Sequence, residues 1–315
     1  MVTGADGFIG SNIVAQFNKA GIEDIVASDR NELLKRPRNL ADKTVAKLVS
    51  KDRLFDSIEN SEVSHFIHLG ARIDTIEMDS QLIMQDNLAY SKMVWNWCTE
   101  HNVRLIYASS ASVYGDGRGG FSEDLDLSNM PFQTLSVYAQ SKLLFDRWAQ
   151  QQPRSPPSWV GFRLFNVYGP GERHKGNMAS FVYQAFQQAS RHGTVRLFKS
   201  SDSRFVDGEQ RRDFIYIRDV ANILIHTCSL DSLPSGIYNV GTGVARSFND
   251  LVSYVFESLA MEKNVQYVDM PDRIKKFYQN FTQADISKLS QLYGGGFTHL
   301  EEGVNDYAKV ILQGL

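Results

Sequence analysis

A tyrosine and a lysine stand four residues apart in the middle of the chain, at Tyr138 and Lys142. On a helix this spacing places both side chains on one face. An ammonium group near a tyrosine stabilises the phenolate and lowers its pKa toward working pH, so the pair suits proton transfer. The spacing alone is common and usually marks a surface pair, so it requires support from other residues.

Hydroxyl side chains follow an apolar strand pattern upstream of this pair. The segment Tyr107–Gly115 includes Ser110, directly after the apolar residues. We expect Ser110 at the edge of a cleft, where it polarises the substrate oxygen that is oxidised or reduced. Ser110, Tyr138 and Lys142 therefore form the candidate catalytic set.

Three glycines near the start, Gly4, Gly7 and Gly10, give Gly-x-x-Gly-x-x-Gly between a strand pattern and a helix pattern. Glycine allows a tight turn and a close approach of the backbone to a pyrophosphate, and the helix N-terminus attracts the phosphates. A second strand pattern ends at Asp29, about 20 residues further on. These features predict a dinucleotide-binding loop. Asp6 lies beside the expected pyrophosphate, so we expect its side chain to face solvent.

The residues after the second strand bear on the choice of cofactor. Asp29 alone favours the free ribose 2′-hydroxyl of NAD. Arg30, Arg36 and Arg38 follow it and are suited to holding a 2′-phosphate through charge-assisted hydrogen bonds. A solvated basic loop is the alternative interpretation. We predict that NADP is preferred and that NAD is possible.

The order of elements predicts an α/β fold, a Rossmann-type doubly wound parallel sheet with a smaller, interleaved α/β substrate domain. Strand and helix patterns alternate through the first half of the chain, as in βαβ units. The strand patterns are Ile25–Asp29, Val63–Leu69, Arg104–Ser109 and Trp159–Phe165. The helix patterns are Ser11–Ala20, Asn87–Thr99 and Tyr138–Gln151.

The second half has a looser pattern. We expect a helix over Met178–Arg191, and strands over Phe214–Ile217 and Ile237–Val240 that return to the main sheet. Ser247 and Asp250 have the spacing of a capping box at a helix start. Residues 1–165 plus 213–245 are assigned to the dinucleotide-binding domain, and 166–212 plus 246–315 to the substrate domain. Ligands are expected in the cleft at the carboxyl ends of the strands.

Composition excludes several classes of protein. The chain has 315 residues, 22% of them charged, and a net charge of 33 − 36 = −3, so no broad basic field indicates nucleic acid or anionic lipid. No apolar run reaches the roughly 18 residues of a membrane span, and the expected location is the cytoplasm. Cys98 and Cys228 lie far apart and are expected to be reduced thiols, with no metal site.

The catalytic set resembles that of the extended short-chain dehydrogenase/reductase family, in which a serine or threonine, a tyrosine and a lysine act together. Arg163–Pro170 resembles its sugar-nucleotide branch. The string His174-Lys175-Gly176-Asn177-Met178-Ala179-Ser180 is more specific and resembles the ADP-glyceromanno-heptose 6-epimerases. Further matches are Arg211–Tyr216 and Tyr278–Asp285, and the resemblance covers nearly the whole chain.

This resemblance implies an isomerase that inverts C6 of ADP-D-glycero-D-manno-heptose for lipopolysaccharide core synthesis. The centre would be oxidised to a ketone with tightly bound NADP and reduced from the opposite face. Tyr138 and Lys175 would be the two acid/base groups, with Ser110 and Lys142 assisting. The resemblance also implies a homo-oligomer.

Further site residues are carried over from matching positions. Cofactor contacts are implied for Phe8, Ile9, Asp29, Lys51, Leu69, Gly70, Ala71, Asn87, Lys142, Val167 and Lys175. Substrate contacts are implied for Ser110, Asn166, Asn177, Gln184, Phe198, Arg212 and Tyr278. Arg212 is suited to two-point binding of a diphosphate. Several positions depart from the family pattern. Ala5 and Asp6 stand where smaller residues are usual, Gln184 stands where a histidine is usual, and the Ser200–Gln210 segment is longer than expected. Arg72 replaces a small residue, which would narrow the site or add a phosphate contact.

Three alternatives remain open at this point. Another sugar-nucleotide epimerase, such as a UDP-sugar 4-epimerase, would need Tyr138 but not Lys175. A dehydratase would need an acid pair beside the catalytic hydroxyl, where this chain has Ala111 and Ser112. A non-catalytic NAD(P)-binding sensor would share the fold, but such proteins typically lose the tyrosine–lysine pair.

Overall fold

The computed structural model describes residues 1–30, 38–59, 61–73, 80–127, 130–275 and 277–313. The strands in these ranges are β1 (Val2–Thr3), β2 (Val26–Asp29), β3 (Lys47–Ser50), β4 (His65–His68), β5 (Arg104–Ser110), β6 (Trp159–Leu164), β7 (Asn166–Tyr168), β8 (Val195–Phe198), β9 (Arg211–Tyr216), β10 (Gly236–Val240), β11 (Ala245–Ser247) and β12 (Val265–Val268).

The α-helices of the described ranges are α1 (Phe8–Lys19), α2 (Leu54–Ile58), α3 (Ser80–Ile83), α4 (Tyr90–Glu100), α5 (Val137–Gln150), α6 (Phe181–His192), α7 (Ile217–Ser229), α8 (Phe248–Ser258), α9 (Asp272–Lys275), α10 (Ser287–Leu292) and α11 (Leu300–Gln313). A π-helix, Met84–Ala89, joins α3 to α4. The helix predicted over Asn87–Thr99 therefore begins within a π-helical turn. None of the helices described is both long enough and apolar enough to cross a membrane.

A seven-stranded sheet in the order β10-β6-β5-β4-β1-β2-β3 is the framework of the first half of the chain. The pairs β1–β2, β1–β4, β2–β3 and β4–β5 are parallel. Strand order reverses direction at β1, as expected for a doubly wound sheet. The predicted Rossmann-type fold is confirmed.

The chain forms two compact units. The first comprises Met1–Val113, Ser136–Arg163 and Ala221–Tyr238. The second comprises Tyr114–Leu135, Leu164–Val220 and Asn239–Leu315. This division differs from the expected one because segments 114–135, 213–220 and 239–245 belong to the second unit. The interleaving of the two units along the chain agrees with the expected arrangement.

Aromatic side chains form much of the core of the first unit. The ring of Trp95 on α4 lies 5.1 Å from that of Trp159 on β6 and 6.4 Å from that of Phe145 on α5, centroid to centroid. Tyr107 on β5 packs edge-on against Phe145 at 4.8 Å. These side chains are all less than one tenth exposed. Their burial holds α4 and α5 against the sheet.

The second unit contains two small sheets. Strand β9 pairs in parallel with β7 and antiparallel with β11, and β12 pairs in parallel with β8. The expectation that the Phe214–Ile217 segment returns to the main sheet is therefore wrong, whereas β10 does join that sheet. Residues 214–216 are apolar and buried, and such a short apolar run indicates a covered strand without specifying its partner. The predicted capping box of Ser247 and Asp250 is confirmed at the start of α8.

A buried ion pair connects α5 to the sheet. Asp146 of α5 is 0% exposed and Arg163 of β6 is 3% exposed, with Nε of Arg163 at 2.9 Å from Oδ2 of Asp146. The same carboxylate accepts hydrogen bonds from the hydroxyls of Tyr107 (3.2 Å) and Ser109 (2.9 Å). These donors satisfy a charge that has no access to water.

Replacing Asp146 with asparagine tests how far the first unit depends on this pair. The change leaves the Arg163 cation buried without its counter-charge, and breaking a buried pair costs about 3–5 kcal/mol. We expect the free energy of unfolding to fall by about this amount in denaturant titrations followed by tryptophan fluorescence. Asp42→Asn is the matched control because Asp42 is 82% exposed and pairs with Lys43 at the surface. Equal losses in the two variants would contradict the expectation.

Candidate active site

The glycine loop connects β1 to α1 in the first unit. Gly4 has φ +65°, and a Cβ there would lie 2.7 Å from the backbone nitrogen of Gly70. A Cβ on Gly10 would lie 2.1 Å from the carbonyl oxygen of Gly4. Side chains at Gly4 and Gly10 are therefore excluded by the backbone itself. The glycine loop thus packs closely against the Leu69–Gly70 segment that follows β4, while the predicted approach of both segments to a cofactor stays a prediction.

The start of α1 fits the diphosphate of a dinucleotide. Gly7 is the N-cap residue and has no side chain to cover the helix end, and the first turn contains no acidic residue. The first turn begins with Phe8, which is buried, and Ile9, which is half-buried. The N-terminal end of a helix carries partial positive charge and N–H donors, which favour an anion. The geometry therefore fits a cofactor diphosphate at this loop.

Asp6 does not face solvent, so that expectation is wrong. Its side chain is 2% exposed, and its carboxylate accepts the backbone N–H groups of Arg38 (3.0 and 3.1 Å), Asn39 (2.8 Å) and Leu40 (2.9 Å). The physical reason is that three successive amides satisfy the charge inside the protein. Asp6 thus fixes the backbone of residues 38–40.

The residues expected to choose between cofactors lie at the end of β2. Asp29 accepts hydrogen bonds from the backbone N–H groups of Asp6 (3.0 Å) and Arg30 (2.8 Å). Burial raises the pKa of the Asp29 carboxyl group, and these hydrogen bonds oppose the rise. Arg30 and Arg38 are exposed. Arg36 lies outside the described residues.

Asp86, which the sequence interpretation did not include, links two cations near the predicted cofactor positions. It lies 2.5 Å from Nζ of Lys51 and 2.9 Å from Nη2 of Arg72. Burial alone would raise the pKa of Asp86, but the hydrogen bonds and charges of Lys51 and Arg72 hold it below its usual range. The guanidinium group of Arg72 is thus engaged by a carboxylate. Lys51 and Arg72 are brought to Asp86 only by the fold, so this pairing could not be identified from the sequence alone.

Asn87 holds the chain beside Ala71 in place. Its side chain is buried, accepts the N–H of Arg72 at 2.7 Å and donates to the Arg72 carbonyl at 2.9 Å. It also donates to the hydroxyl of Ser141 on α5 at 3.1 Å. The segment after β4 is therefore tied to the helix that carries Tyr138 and Lys142.

Ser110, Tyr138 and Lys142 are brought together in the first unit, as the sequence predicts. Ser136 caps α5 by accepting the N–H of Ala139 at 3.2 Å, so the helix begins at Val137, one residue before Tyr138. Nζ of Lys142 lies 5.9 Å from the centroid of the Tyr138 ring and donates to the carbonyl of Ala108 at 2.8 Å. The helix and strand β5 together position these groups.

Ser110 is oriented toward Tyr138 by its neighbour. Its oxygen accepts the N–H and the hydroxyl of Ser112, at 3.2 and 2.9 Å. A side-chain hydrogen bond also joins Ser110 to Tyr138. Since Ser110 accepts twice from Ser112, its own hydroxyl proton is directed to Tyr138. This is the arrangement expected for groups that share protons with a substrate oxygen.

Burial shifts the pKa values of Tyr138 and Lys142 in opposite directions. It raises the pKa of Tyr138, and the hydrogen bond from Ser110 opposes the rise. It lowers the pKa of Lys142 to about 8, and the charge of Asp146 opposes the fall. Asp146 is one helical turn after Lys142, and that spacing is the sequence signal by which it could have been found.

Lys175 lies in the second unit, in a 3₁₀ turn spanning Arg173–Met178. Its N–H donates to the carbonyl of Glu172 at 2.9 Å, and Gly176 follows with φ +53°. Lys175 is half-buried, and burial lowers the pKa of its ammonium group while the charge of Glu172 opposes this. Glu172, like Asp86 and Asp146, was not among the site residues expected from the sequence.

One predicted substrate residue, Asn177, belongs to the same turn, and another, Gln184, contacts the turn from helix α6. Asn177 is exposed, and its carbonyl accepts the side-chain amide of Gln184 at 3.2 Å. Gln184 also donates to the carbonyl of Ala179 at 2.8 Å. Gln184, which stands where a histidine is usual, therefore holds the turn in place through hydrogen bonds from helix α6.

Arg212 is a buried cation among aromatic rings in the second unit. Its guanidinium carbon lies 4.9 Å from the ring centroid of Tyr278 and 5.7 Å from that of Phe248. Phe198 packs edge-on against Tyr278 at 6.3 Å. Within the part of the chain that the structure describes, no salt bridge joins Arg212 to a carboxylate, and burial lowers the pKa of its guanidinium group. A buried cation of this kind is suited to an anionic ligand.

The remaining predicted residues of the second unit lie on β7. Asn166 is exposed, and its side-chain oxygen accepts the hydroxyl of Thr282 at 3.2 Å. Val167 is half-buried. Phe198, Arg212 and Tyr278 thus form one cluster, whereas Lys175, Asn177 and Gln184 share another segment of the same unit.

The glycine loop on a doubly wound sheet and the serine–tyrosine–lysine cluster are typical of one class of enzymes. These enzymes use a nicotinamide cofactor to oxidise a substrate hydroxyl group to a carbonyl group, or to reduce the carbonyl group. Residues 1–241 match the NAD dependent epimerase/dehydratase family, and the chain belongs to that family. The resemblance found in the sequence is thereby confirmed.

Individual relatives narrow the comparison. The chain is 40% identical to the ADP-L-glycero-D-manno-heptose-6-epimerase of Fusobacterium nucleatum over 321 residues, which cover 98% of this chain and 96% of that protein. The crystal structure of the Helicobacter pylori ADP-L-glycero-D-manno-heptose-6-epimerase is similar with TM-score 0.81 and 28% identity, covering 99% of this chain and 95% of that one. MoeE5, in complex with UDP-glucuronic acid and NAD, is similar with TM-score 0.81 and 28% identity, covering 100% and 99% of the two chains.

The lowered pKa of Lys142 predicts a pH dependence of stability. Between about 8 and 10.5, its folded and ordinary pKa values, the unfolded chain binds a proton that the folded chain does not, so stability rises with pH. Below pH 8 the cost of burying the ammonium is present in full. We therefore expect Lys142→Met to unfold at a higher denaturant concentration than the wild type at pH 7.

This advantage should shrink as the pH rises from about 8 to about 10.5, because the wild-type lysine loses its charge over that interval. Denaturant midpoints measured at intervals of pH provide the check. Lys19→Met is the control, since Lys19 is exposed at the end of α1. A difference between Lys142→Met and the wild type that is independent of pH would refute the assignment.

Proposed function

We propose that this protein is an ADP-L-glycero-D-manno-heptose 6-epimerase that converts ADP-D-glycero-D-manno-heptose to the L-glycero-D-manno form, a precursor of the lipopolysaccharide core. The observation that carries the proposal is the similarity at 40% identity over nearly the full length of both chains. The resemblance of the His174–Ser180 string, which contains Lys175, supports the proposal further, in addition to the Ser110, Tyr138 and Lys142 cluster. The expected reaction is an inversion without net oxidation.

The chemistry of the reaction calls for two acid/base groups. C6 of the heptose is an unactivated carbon that carries a hydroxyl group, so inversion proceeds through a ketone. The C6 hydrogen leaves as hydride from one face and returns to the other, and the hydroxyl proton is removed and restored. When bound, the nicotinamide cofactor accepts this hydride and returns it. Because the terminal carbon group must rotate in between, the oxygen meets a different protein group in each orientation.

Tyr138 is the proposed group for one orientation. As phenolate it takes the proton of the substrate hydroxyl. Ser110 donates its one proton to Tyr138 until then and turns it to the substrate oxygen once Tyr138 is protonated. The Lys142 ammonium, close to the Tyr138 ring, favours the phenolate electrostatically. Because burial alone raises the pKa of Tyr138, this cation and the Ser110 hydroxyl are needed to bring it toward working pH.

Lys175 is the proposed group for the other orientation. Its ammonium donates the proton to the ketone oxygen as hydride returns to C6, which restores the hydroxyl group with inverted configuration. Burial lowers the pKa of Lys175 from its ordinary value, which makes proton release easier than from a solvated lysine. Exchange with solvent then returns Tyr138 and Lys175 to their starting protonation states.

Arg212 and Tyr278 are the proposed anchor for the ADP portion of the substrate. The guanidinium group can bind two diphosphate oxygens, and the ring 4.9 Å away keeps it in place. Asn166, Asn177, Gln184 and Phe198 are the further proposed substrate contacts. Binding energy at the nucleotide end can then be used to orient the reacting C6.

The reaction and the two-group mechanism are tested with one substrate and four proteins. Wild type is incubated with ADP-D-glycero-D-manno-heptose without added cofactor, and the C6 epimers are followed by NMR. We expect conversion by the wild type and losses of about 10²–10⁴-fold in kcat for Tyr138→Phe and Lys175→Met, because each lacks one proton-transfer group. Lys199→Met is the control, since Lys199 is an exposed lysine paired with Asp269.

Each alternative gives a distinct result. If wild-type protein that carries cofactor leaves this substrate unchanged, the 6-epimerase assignment fails. If Tyr138→Phe is inactive while Lys175→Met keeps wild-type kcat, the enzyme has one acid/base group, as expected for a UDP-sugar 4-epimerase. Circular dichroism of the variants separates loss of catalysis from loss of folding.

We propose further that NADP is bound in preference to NAD. Arg30 is exposed directly after β2, and Arg36 and Arg38 follow. We expect apo-protein titrations to give a lower Kd for NADP⁺ than for NAD⁺. Arg30→Met should weaken NADP⁺ binding roughly ten-fold or more, as expected for a lost charge-assisted hydrogen bond, and should leave NAD⁺ binding nearly unchanged. Arg53→Met, at another exposed arginine of the same unit, is the control, and equal or tighter NAD⁺ binding by the wild type refutes the preference.

A further inference from the structure

Glu172 is a carboxylate with 0% exposure that lies three residues before Lys175. It accepts hydrogen bonds from the N–H of Gly169 (3.3 Å), the hydroxyl of Ser180 (2.6 Å) and the N–H of Ser180. The hydroxyl of Tyr307 on helix α11 is a fourth donor. An ionised carboxylate has about four lone-pair sites and donates nothing, so four donors match the charged form.

These contacts hold both ends of residues 170–180, the segment that contains Lys175. Gly169 precedes this segment, and Ser180, the N-cap residue of α6, is its last residue. The Ser180 hydroxyl also accepts the N–H of Tyr183 at 3.2 Å, so the connection continues into the helix. One side chain thus ties together the two ends of an eleven-residue segment, residues 170–180, that would otherwise be free to move with its lysine.

The charge of the same carboxylate also acts on Lys175. Burial lowers the pKa of the Lys175 ammonium, and the Glu172 charge is the cause that raises it. Burial raises the pKa of Glu172, and the donors at Ser180, the charge of Lys175 and the N–H of Gly169 oppose this. The other titratable groups around Glu172 are Tyr307 from α11, with Tyr183 and Tyr216 beyond it, and Arg173 and His174 in the turn.

We propose that Glu172 is a positioning residue for Lys175, which closes the 170–180 segment and keeps the lysine side chain charged for proton donation. The proposal rests on the proposed function of Lys175 as the second acid/base group. It goes further because it assigns a role to a residue that has no contact with solvent and is not itself a proton donor to substrate. The carboxylate contributes through geometry and through charge, and the two contributions are separable.

The effect of charge is tested with Glu172→Gln, which keeps the shape of the side chain. We expect the pKa of Lys175 to shift to lower pH, because the opposing charge is gone. The measurement is the pH dependence of acetylation of Lys175 by acetic anhydride, read by peptide mass spectrometry on the full-length protein with the cofactor that it carries. Glu123→Gln is the matched control, since Glu123 is another partly buried carboxylate that accepts a backbone N–H, that of Asn239 at 2.6 Å.

The effect of geometry is tested with Tyr307→Phe and Glu172→Asp, which keep the charge. Tyr307→Phe removes one hydrogen bond and should leave the acetylation midpoint of Lys175 at the wild-type pH. Glu172→Asp shortens the reach of the carboxylate and should lower kcat roughly ten- to a hundred-fold through a displaced Lys175, with KM changed by no more than about two-fold. If Glu172→Gln fails to fold, Glu172→Asp still tests whether Glu172 positions Lys175.

An unchanged midpoint in Glu172→Gln, or one that shifts equally in Tyr307→Phe, overturns the electrostatic part of the proposal. Wild-type kcat in Glu172→Asp overturns the positioning part. The acetylation measurement needs no substrate, so it is independent of the epimerase assignment. Failure of that assignment is recognised separately, as no conversion of the substrate by the wild type, and failure of the proposed role of Lys175 as wild-type turnover by Lys175→Met.

Discussion

The fully buried carboxylate of Asp146 is the interaction on which the arrangement of the first unit depends. It receives hydrogen bonds from Tyr107 and Ser109 of β5 and from Arg163 of β6, so it fixes α5 on two neighbouring strands. Lys142 and Tyr138 lie one and two helical turns before it. A helix held at this point can present both groups to strand β5, where Ser110 ends the strand. Burying this charge costs free energy, which the three donors offset. The same contacts anchor the helix that carries Tyr138 and Lys142.

The candidate functional residues of each unit include cations that are withdrawn from water in different ways. Lys142 is held by the carbonyl of Ala108 and the charge of Asp146. Lys175 is opposed by Glu172, while Arg212 lies against the rings of Tyr278 and Phe248. The first two lysines have nearby anions and lowered proton affinities, which suits groups that exchange protons. Arg212 lacks such an anion among the described residues, which suits a group that binds one.

Acidic residues account for most of what sequence reasoning missed. Asp86, Asp146 and Glu172 each stand within five residues of a predicted site residue, but their partners come from other segments, such as Lys51 for Asp86 and Tyr307 for Glu172. Asp6 was expected in solvent because a phosphate nearby would repel it. Its carboxylate instead binds the amides of residues 38–40. The charge on a side chain shows that it needs partners, and only the folded chain shows where they are.

The sequence by itself determined the local features of this protein: the glycine loop, the alternation of strands and helices, the spacing of Tyr138 and Lys142, and the capping box of α8. These depend on backbone sterics and on periods of 3.6 and 2 residues, which act over a few positions. Only the tertiary structure decided that β9 pairs with β7 and β11, that residues 114–135 belong to the second unit, and that Asp6 is buried. The physical reason is that an apolar strand is equally well covered in either sheet, and a carboxylate is equally well satisfied by any amide that the fold brings to it.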